Sequence, residues 1–217
     1  MTRAIQRSIV VSLSILVLTG CQSMYFGAME KFGVHKRDIL VDRVEKARDS
    51  QEETKEQFQS ALDEFMAVVK VDGGNLQAKY ASLSSELEAS EESAADVSKR
   101  IDDVERVAEA LFEEWEEELE QYTSRSLRRA SESKLRNTRS RYTQLIGAMK
   151  RAEKKIDPVL DAFRDQVLFL KHNLNARAIA SLQNEVATVE QDIGALIREM
   201  EASIREADAF ISTMSTE

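Results

Sequence analysis

The chain has one proline, seven glycines, two histidines and one cysteine in 217 residues. A single cysteine excludes an internal disulfide and every cysteine-based metal cluster. Scarce proline and glycine leave few sites for tight turns, so a sheet-rich fold with many reversals is excluded and long helices are favoured. Two histidines, His35 and His172, come with no partner histidine at metal-ligand spacing, no serine-centred nucleophile motif and no glycine-rich phosphate loop. Catalysis needs a nucleophile beside a base, or convergent acid and base groups, and no catalytic or metal-ligating set is expected. Nor is there an apolar run long enough to span a bilayer: Ile9 to Leu18 is about ten residues, against the ~20 a spanning helix needs.

The N-terminus reads as an address. Arg3 and Arg7 form a basic region, the run Ile9 to Leu18 comes next, and small residues Thr19 and Gly20 precede Cys21. The tetrad Leu18-Thr19-Gly20-Cys21 resembles the lipobox of bacterial lipoproteins. That resemblance implies residues 1–20 as a signal peptide, cleavage before Cys21, and lipid on its sulfur. Gln22 in place of aspartate implies, by the sorting rule of Gram-negative bacteria, the outer membrane with the protein facing the periplasm. Residues 21–35 read as a lipidated tether whose Tyr25, Phe26, Met29 and Phe32 either rest in the membrane interface or cap the base of the helical body. No cofactor beyond the covalent lipid is expected. Removing residues 1–20 takes the net charge from −9 to −11, and so acidic a body argues against nucleic acid.

From residue 36 onward the pattern is helical, with 32% charged residues framing apolar stripes. Val44, Ala47, Gln51, Thr54, Phe58, Ala61, Phe65 and Val68 step by three and four, which predicts a helix over about 36–70 with a seam that is polar in the middle. Val71-Asp72-Gly73-Gly74-Asn75 is the clearest turn, and Asn75 is placed to cap a helix over about 75–122. There the seam Leu76, Tyr80, Leu83, Leu87, Ser90, Ala94, Val97, Ile101, Val104, Ala108, Leu111, Trp115, Glu118, Tyr122 alternates by four and three without exception. Twelve of the fourteen are apolar, where a composition of 42% predicts about six. A 3.5-residue repeat keeps an apolar stripe facing a partner helix.

A reversal is expected within Tyr122 to Ser133, and charge supports it. Glu86 to Glu120 carries a net −12 and Arg125 to Lys155 a net +9, so folding one back on the other pairs opposite strips. A third seam runs Leu135, Thr138, Tyr142, Leu145, Met149, Ala152, Ile156, Val159, Phe163, Val167, Leu170, Leu174, predicting a helix over about 133–172. It keeps its phase through Asp157-Pro158, which reads as a bend rather than a reversal. At His172-Asn173-Leu174-Asn175 the seam loses step. A turn capped by Asn175 gives a fourth helix over about 176–213; a stutter in one continuous helix gives the same seams in another topology, and the turn is favoured. The fold class is all-α: an elongated antiparallel bundle or coiled coil of three to four long helices over 36–217.

Four strings carry a further resemblance: Lys36-Arg37-Asp38-Ile39-Leu40-Val41-Asp42-Arg43-Val44, Leu111-Phe112-Glu113-Glu114-Trp115, Pro158-Val159-Leu160, and Leu170-Lys171-His172-Asn173-Leu174-Asn175-Ala176. Through them the chain resembles an uncharacterised family of proteobacterial helical lipoproteins, a domain of unknown function, over most of the mature chain. The resemblance implies no activity.

Candidate sites are few. His172, with Asn173 and Asn175, is either a polar binding point or a locally satisfied turn; Trp115 and Phe112 are either partner anchors or core, with core the better account because Trp115 lies on the seam. The acidic run Glu113 to Glu120 is read as a solvated or base-paired face, because a convex helix rarely gathers oxygens around one cation. The basic strip Arg125 to Lys155 either pairs with it or touches anionic headgroups. The function expected is that of a non-enzymatic lipid-anchored envelope protein, a scaffold or interaction rod in the periplasm. Its partners would be the membrane, an envelope protein or a second copy. The alternative is a ligand-binding module holding a small molecule or lipid within the bundle near His172 and Pro158.

Overall fold

The computed structural model describes residues 35–70 and 75–216. Residues 1–20, read above as a signal peptide, residues 21–34 of the expected tether, Cys21 included, and the glycines of the first turn lie outside the described residues. Four helices account for nearly all of the rest: α1 (Lys36–Lys70), α2 (Leu76–Leu119), α3 (Arg125–His172) and α4 (Ala176–Thr216). Their 35, 44, 48 and 41 residues correspond to rods of roughly 52 to 72 Å at ~1.5 Å per residue. Among the described residues no helix is long and apolar enough to cross a membrane.

Each boundary has a local cause. The His35 carbonyl accepts from the amides of Asp38 and Ile39, at 2.9 and 3.1 Å, and opens α1. The Asn75 side chain accepts from the Ala78 amide at 3.1 Å, Ser124 does the same for Leu127, and Asn175 for Ala178 at 3.1 Å; each satisfies a donor left open by the first turn of a helix. The break at 172–175 is therefore a turn and not a stutter. The reversal after α2 is tighter than expected. Helix α2 stops at Leu119 rather than Tyr122, and α3 begins at Arg125 rather than near 133, because Ser124 caps a run of strong helix formers. Helix α4 runs three residues past the expected 213. Pro158 lies inside α3, which continues through it without reversing.

Neighbouring helices run antiparallel, and their cross-links show it: partner numbers fall on one helix as they rise on the other. From α1 to α2 the polar links run Ser50 to Asp96, Thr54 to the Ser93 carbonyl, and Glu64 with Ser82. From α2 to α3 they run Glu116 with Arg139, Glu105 with Lys150, and Glu91 with Arg164. Helix α4 closes the ring against both α3 and α1, as in an up-down-up-down four-helix bundle. The seams meet at the centre, where Phe58, Phe65, Leu83, Ile101, Leu145, Met149, Leu170, Leu182, Leu196 and Met200 are fully buried.

The polar middle of the α1 seam is also inside. Gln51 and Thr54 are buried, and the Ser203 hydroxyl on α4 donates to the Gln51 side-chain oxygen at 2.7 Å. Ser203 lies between buried Met200 and Ala207 on the inner face of α4 and is a polar core residue. Three positions assigned to seams face outward instead: Glu118, Tyr122 and Leu174 are exposed. Near its C-terminus the buried face of α2 drifts onto Phe112 and Leu119, as an untwisted 3.6-residue helix must drift from a 3.5-residue repeat.

Candidate functional site

The rod has two chemically distinct ends. At one, α1 begins, the α2–α3 reversal turns and α4 finishes; Lys36 pairs with Glu114 at 2.7 Å, and Arg37 donates to the Met214 carbonyl. At the other, the end of α1 lies beside the start of α4, where the Gln183 amide donates to the Val69 carbonyl at 2.7 Å.

The α3–α4 corner holds one of several shallow grooves on the described surface. Leu168, Phe169, His172 and Asn173 of α3 face Ser181, Leu182 and Glu185 of α4 across an open groove of about 530 Å³, with Asp165 and Gln166 on its rim. Three large apolar side chains around this corner are exposed: Leu168 at 50%, Phe169 at 39% and Leu174 at 40%. Three exposed apolar groups gathered at one corner are unusual on a rod whose other apolar residues mostly point inward, and such patches mark interaction sites. The run Val167-Leu168-Phe169-Leu170 carries the signal in the sequence. Consecutive helical residues point about 100° apart, so four apolar residues in a row cannot all face one core. Val167 and Leu170 take the inside, and Leu168 and Phe169 are left outside.

The structure places His172 and Asn173 on this groove. The Asn173 side chain is already engaged, donating to the Phe169 carbonyl at 2.9 Å, and its backbone amide donates to the Leu170 carbonyl at 3.2 Å; it closes α3. Asn175 opens α4. Both asparagines thus shape the corner, while the His172 ring is exposed on it. Pro158 is not part of this recess: it is fourteen residues earlier on α3, about 21 Å along the axis. The bundle interior at the level of Pro158 is occupied by buried Ile156, Val159 and Leu160. An open surface groove of about 610 Å³ beside it is lined by Asp157 and Leu160 of α3 and by Ala94 and Ser98 of α2.

Trp115 sits at the opposite end, partly buried against the core, with its indole N–H donating to the Ser131 hydroxyl at 2.8 Å. It ties α2 to α3 just below their reversal, as the seam suggested. Phe112 beside it is buried, meets the Tyr142 ring edge-on at 5.5 Å, and carries the Arg139 guanidinium 5.1 Å above its face. Burial pushes the Tyr142 phenol up to about 12, and the Glu105 carboxylate adds to the shift. The hydrogen bond from Arg139 holds the Glu116 carboxyl below its ordinary range.

The opposite charge strips do meet, but selectively. Arg128 reaches Glu120 at 2.7 Å, Arg139 reaches Glu116, and Lys150 reaches Glu105 at 2.9 Å and Asp102 at 3.6 Å. Arg141 and Arg151 turn to α4 instead, meeting Thr213 and Glu199. Among the described residues, no three His, Cys, Asp or Glu side chains gather as a metal-ligand set.

These features define a class: a single-chain antiparallel four-helix rod with a filled apolar interior. Within that class, the chain belongs to the family described as "Protein of unknown function (DUF2959)", whose model matches residues 25–214. No curated protein matches the chain.

Proposed function

We propose that the protein is a non-enzymatic, lipid-anchored rod of the bacterial envelope that presents a docking corner to a protein partner away from the membrane. The anchor rests on Leu18-Thr19-Gly20-Cys21 placed after a basic region and a short apolar run. Gln22 supports the outer membrane, on its periplasmic side. Lipid on Cys21 would hold the end where α1 begins, and the α3–α4 corner lies a helix length away, about 50 Å along α1. The observation that carries the docking reading is the exposed trio Leu168, Phe169 and Leu174 around the corner groove. Aromatic and aliphatic groups of this kind supply the central contacts of protein interfaces.

The test is photo-crosslinking in intact cells from a reactive residue replacing Phe169, with the same residue at exposed Arg205 as control. A discrete protein adduct from 169 and none from 205 is expected; equal patterns from both positions refute a docking corner. The anchor is tested separately by Cys21→Ala, which should move the protein from the membrane to the soluble fraction; continued retention refutes it.

A second reading has its own observation in favour. A groove of about 530 Å³ lies in the size range of small-molecule sites, which runs from about 300 to 1,000 Å³. A ligand there raises the melting temperature of the folded state, by an amount that grows with the logarithm of its concentration above the dissociation constant. Stabilisation by an envelope lipid extract that Phe169→Ser abolishes favours this reading over the docking one. A second copy of the chain on the same corner would instead make the oligomeric state concentration-dependent.

A further inference from the structure

Among the described residues, the reversal between α2 and α3 projects furthest at the end where α1 begins. Because Lys36 pairs with Glu114, and Arg141 with Thr213 near the end of α4, the reversal lies beyond the start of α1. The overhang is about 9 Å counted along α2 from Glu114, or about 24 Å counted along α3 from Arg141. From Gln121 to Ser131 this tip has three arginines and no acid. Two exposed apolar side chains stand on it, Leu127 at 59% and Tyr122 at 40%. Arg128 is paired to Glu120 and Glu132, whereas the exposed Arg125 and Arg129 have no carboxylate partner among the described residues. The acidic residues Glu113 to Glu118 begin behind the tip, on the flank of α2, where Arg139 pairs Glu116.

On their inner side Tyr122 and Leu127 line a shallow groove with Trp115, Glu114, Glu118 and Lys134. An aliphatic and a phenolic side chain beside two guanidiniums that have no carboxylate partner among the described residues is the chemistry of a membrane-interface contact. Tyrosine settles at headgroup level, leucine enters the acyl boundary, and arginine pairs with phosphate. We infer that the α2–α3 tip is a second membrane contact that docks Tyr122 and Leu127 into an anionic phospholipid surface through Arg125 and Arg129. The inference rests on the proposed lipid at Cys21 for its orientation. The fourteen residues from Cys21 to His35 reach at most about 48 Å, more than the overhang on either count, so the tip and the anchor can touch one bilayer together. One acyl anchor leaves a rod free to tilt, and a second contact would fix its axis, aiming the far corner into the periplasmic space. The acids behind the tip oppose deeper insertion and confine contact to the extreme end.

The experiment uses the full membrane-extracted protein carrying Leu127→Cys, labelled with an environment-sensitive fluorophore and reconstituted into vesicles with or without phosphatidylglycerol in a phosphatidylcholine background. With Cys21 acylated, position 127 is the only free thiol. Expected are one label per chain, a blue-shifted emission quenched by brominated lipid only in the anionic vesicles, and loss of both on adding Arg125→Glu and Arg129→Glu. A label at exposed Arg177→Cys, at the far end of the rod, should stay aqueous throughout. The inference is overturned if the label at 127 is as water-exposed as that at 177. It is also overturned if the shift is equally large in vesicles without phosphatidylglycerol and brominated lipid does not quench it, which would mean that the chain's own tether or a second copy covers the tip. Two labels per chain would sink the anchor alone. The Cys21→Ser form then isolates the tip: lipid quenching that still depends on anionic lipid upholds the contact, and its absence overturns it.

Discussion

Gln51 is fully buried, yet only half of its amide is satisfied: its oxygen accepts from Ser203 at 2.7 Å, and its Nε2 has no hydrogen-bond partner among the described residues. Removing the Ser203 hydroxyl by Ser203→Ala strands the Gln51 oxygen as well. A buried polar group deprived of its partner costs about 1–3 kcal/mol, so Ser203→Ala should destabilise the bundle by about that much despite deleting a single oxygen. Gln51→Leu works the other way. It removes both buried amide groups, and the Ser203 hydroxyl can turn to a carbonyl of its own helix one turn back. That substitution should be neutral or stabilising by up to about 1 kcal/mol, and the double variant should be no less stable than the wild type. The coupling between the two sites should be at least about 1 kcal/mol, as expected for residues in direct contact. Urea unfolding of all four proteins, with equal slopes, measures it. If Ser203→Ala alone is harmless while Gln51→Leu costs more than about 2 kcal/mol, the pair is not the half-satisfied contact described, and the reasoning fails.

The caps, the core and the surface each carry an expectation of their own. Asn175→Ala removes the cap of α4 and should cost about 1 kcal/mol, read as a lower urea midpoint with unchanged slope. Phe65→Ala empties a fully buried ring site and should cost about 3–5 kcal/mol. Leu168→Ser with Phe169→Ser should leave stability within about 0.5 kcal/mol, because both side chains stand half in water; a large loss would mean that they are core. Tyr142 ionises about two pH units late, and a folded-state acid whose pKa is raised favours folding while protonated. Its contribution is thus complete below pH 10 and lost as pH climbs from 10 towards 12. Two units correspond to about 2.7 kcal/mol, and solvent screening of this half-buried ring reduces that to roughly 1 kcal/mol. The alkaline loss of stability should shrink in Tyr142→Phe, as measured by circular dichroism against pH.

The parts of the fold legible in the sequence are those that repeat. The α1 seam from Val44 to Val68 is buried at every step of its stripe, polar residues included, because a stripe in step with the helix must face inward along its whole length. Helix ends were legible only where a capping residue interrupts a pattern. Asn75 and Asn175 do so, whereas Ser124 sits among Thr123, Arg125 and Ser126, where nothing in composition separates a cap from a helix surface. The corner site escaped for a related reason. Attention to the stripe picks out Val167, Leu170 and Leu174, but what makes the corner is Leu168 and Phe169, the apolar residues that the stripe does not use. His172, singled out as a polar oddity, does lie in the groove, and the asparagines beside it prove to be the caps that shape it.

The order of the helices around the bundle needs a cause of its own, since four similar apolar seams could close in more than one arrangement. A short connection makes α1 and α2 antiparallel neighbours, and the same holds for α3 and α4 across a corner of three residues. Two choices remain, namely which face of the first hairpin meets the second and at what level. The charge strips bear on the first. An acidic α2 flank against the basic α3 flank joins Glu91, Glu105 and Glu116 to Arg164, Lys150 and Arg139, and any arrangement setting the basic α3 strip elsewhere forfeits all three. Each exposed pair contributes little alone, but three at matching intervals act together on register. The Gln51–Ser203 bond bears on the second. A slip of one turn between α1 and α4 would bury both groups against apolar side chains, at several kcal/mol. Replacing that pair by Leu and Ala should therefore leave a stable bundle whose α1–α4 register is less well defined, seen as broadened or doubled amide resonances along α4. A single sharp set in the double variant would show that apolar packing alone fixes the level.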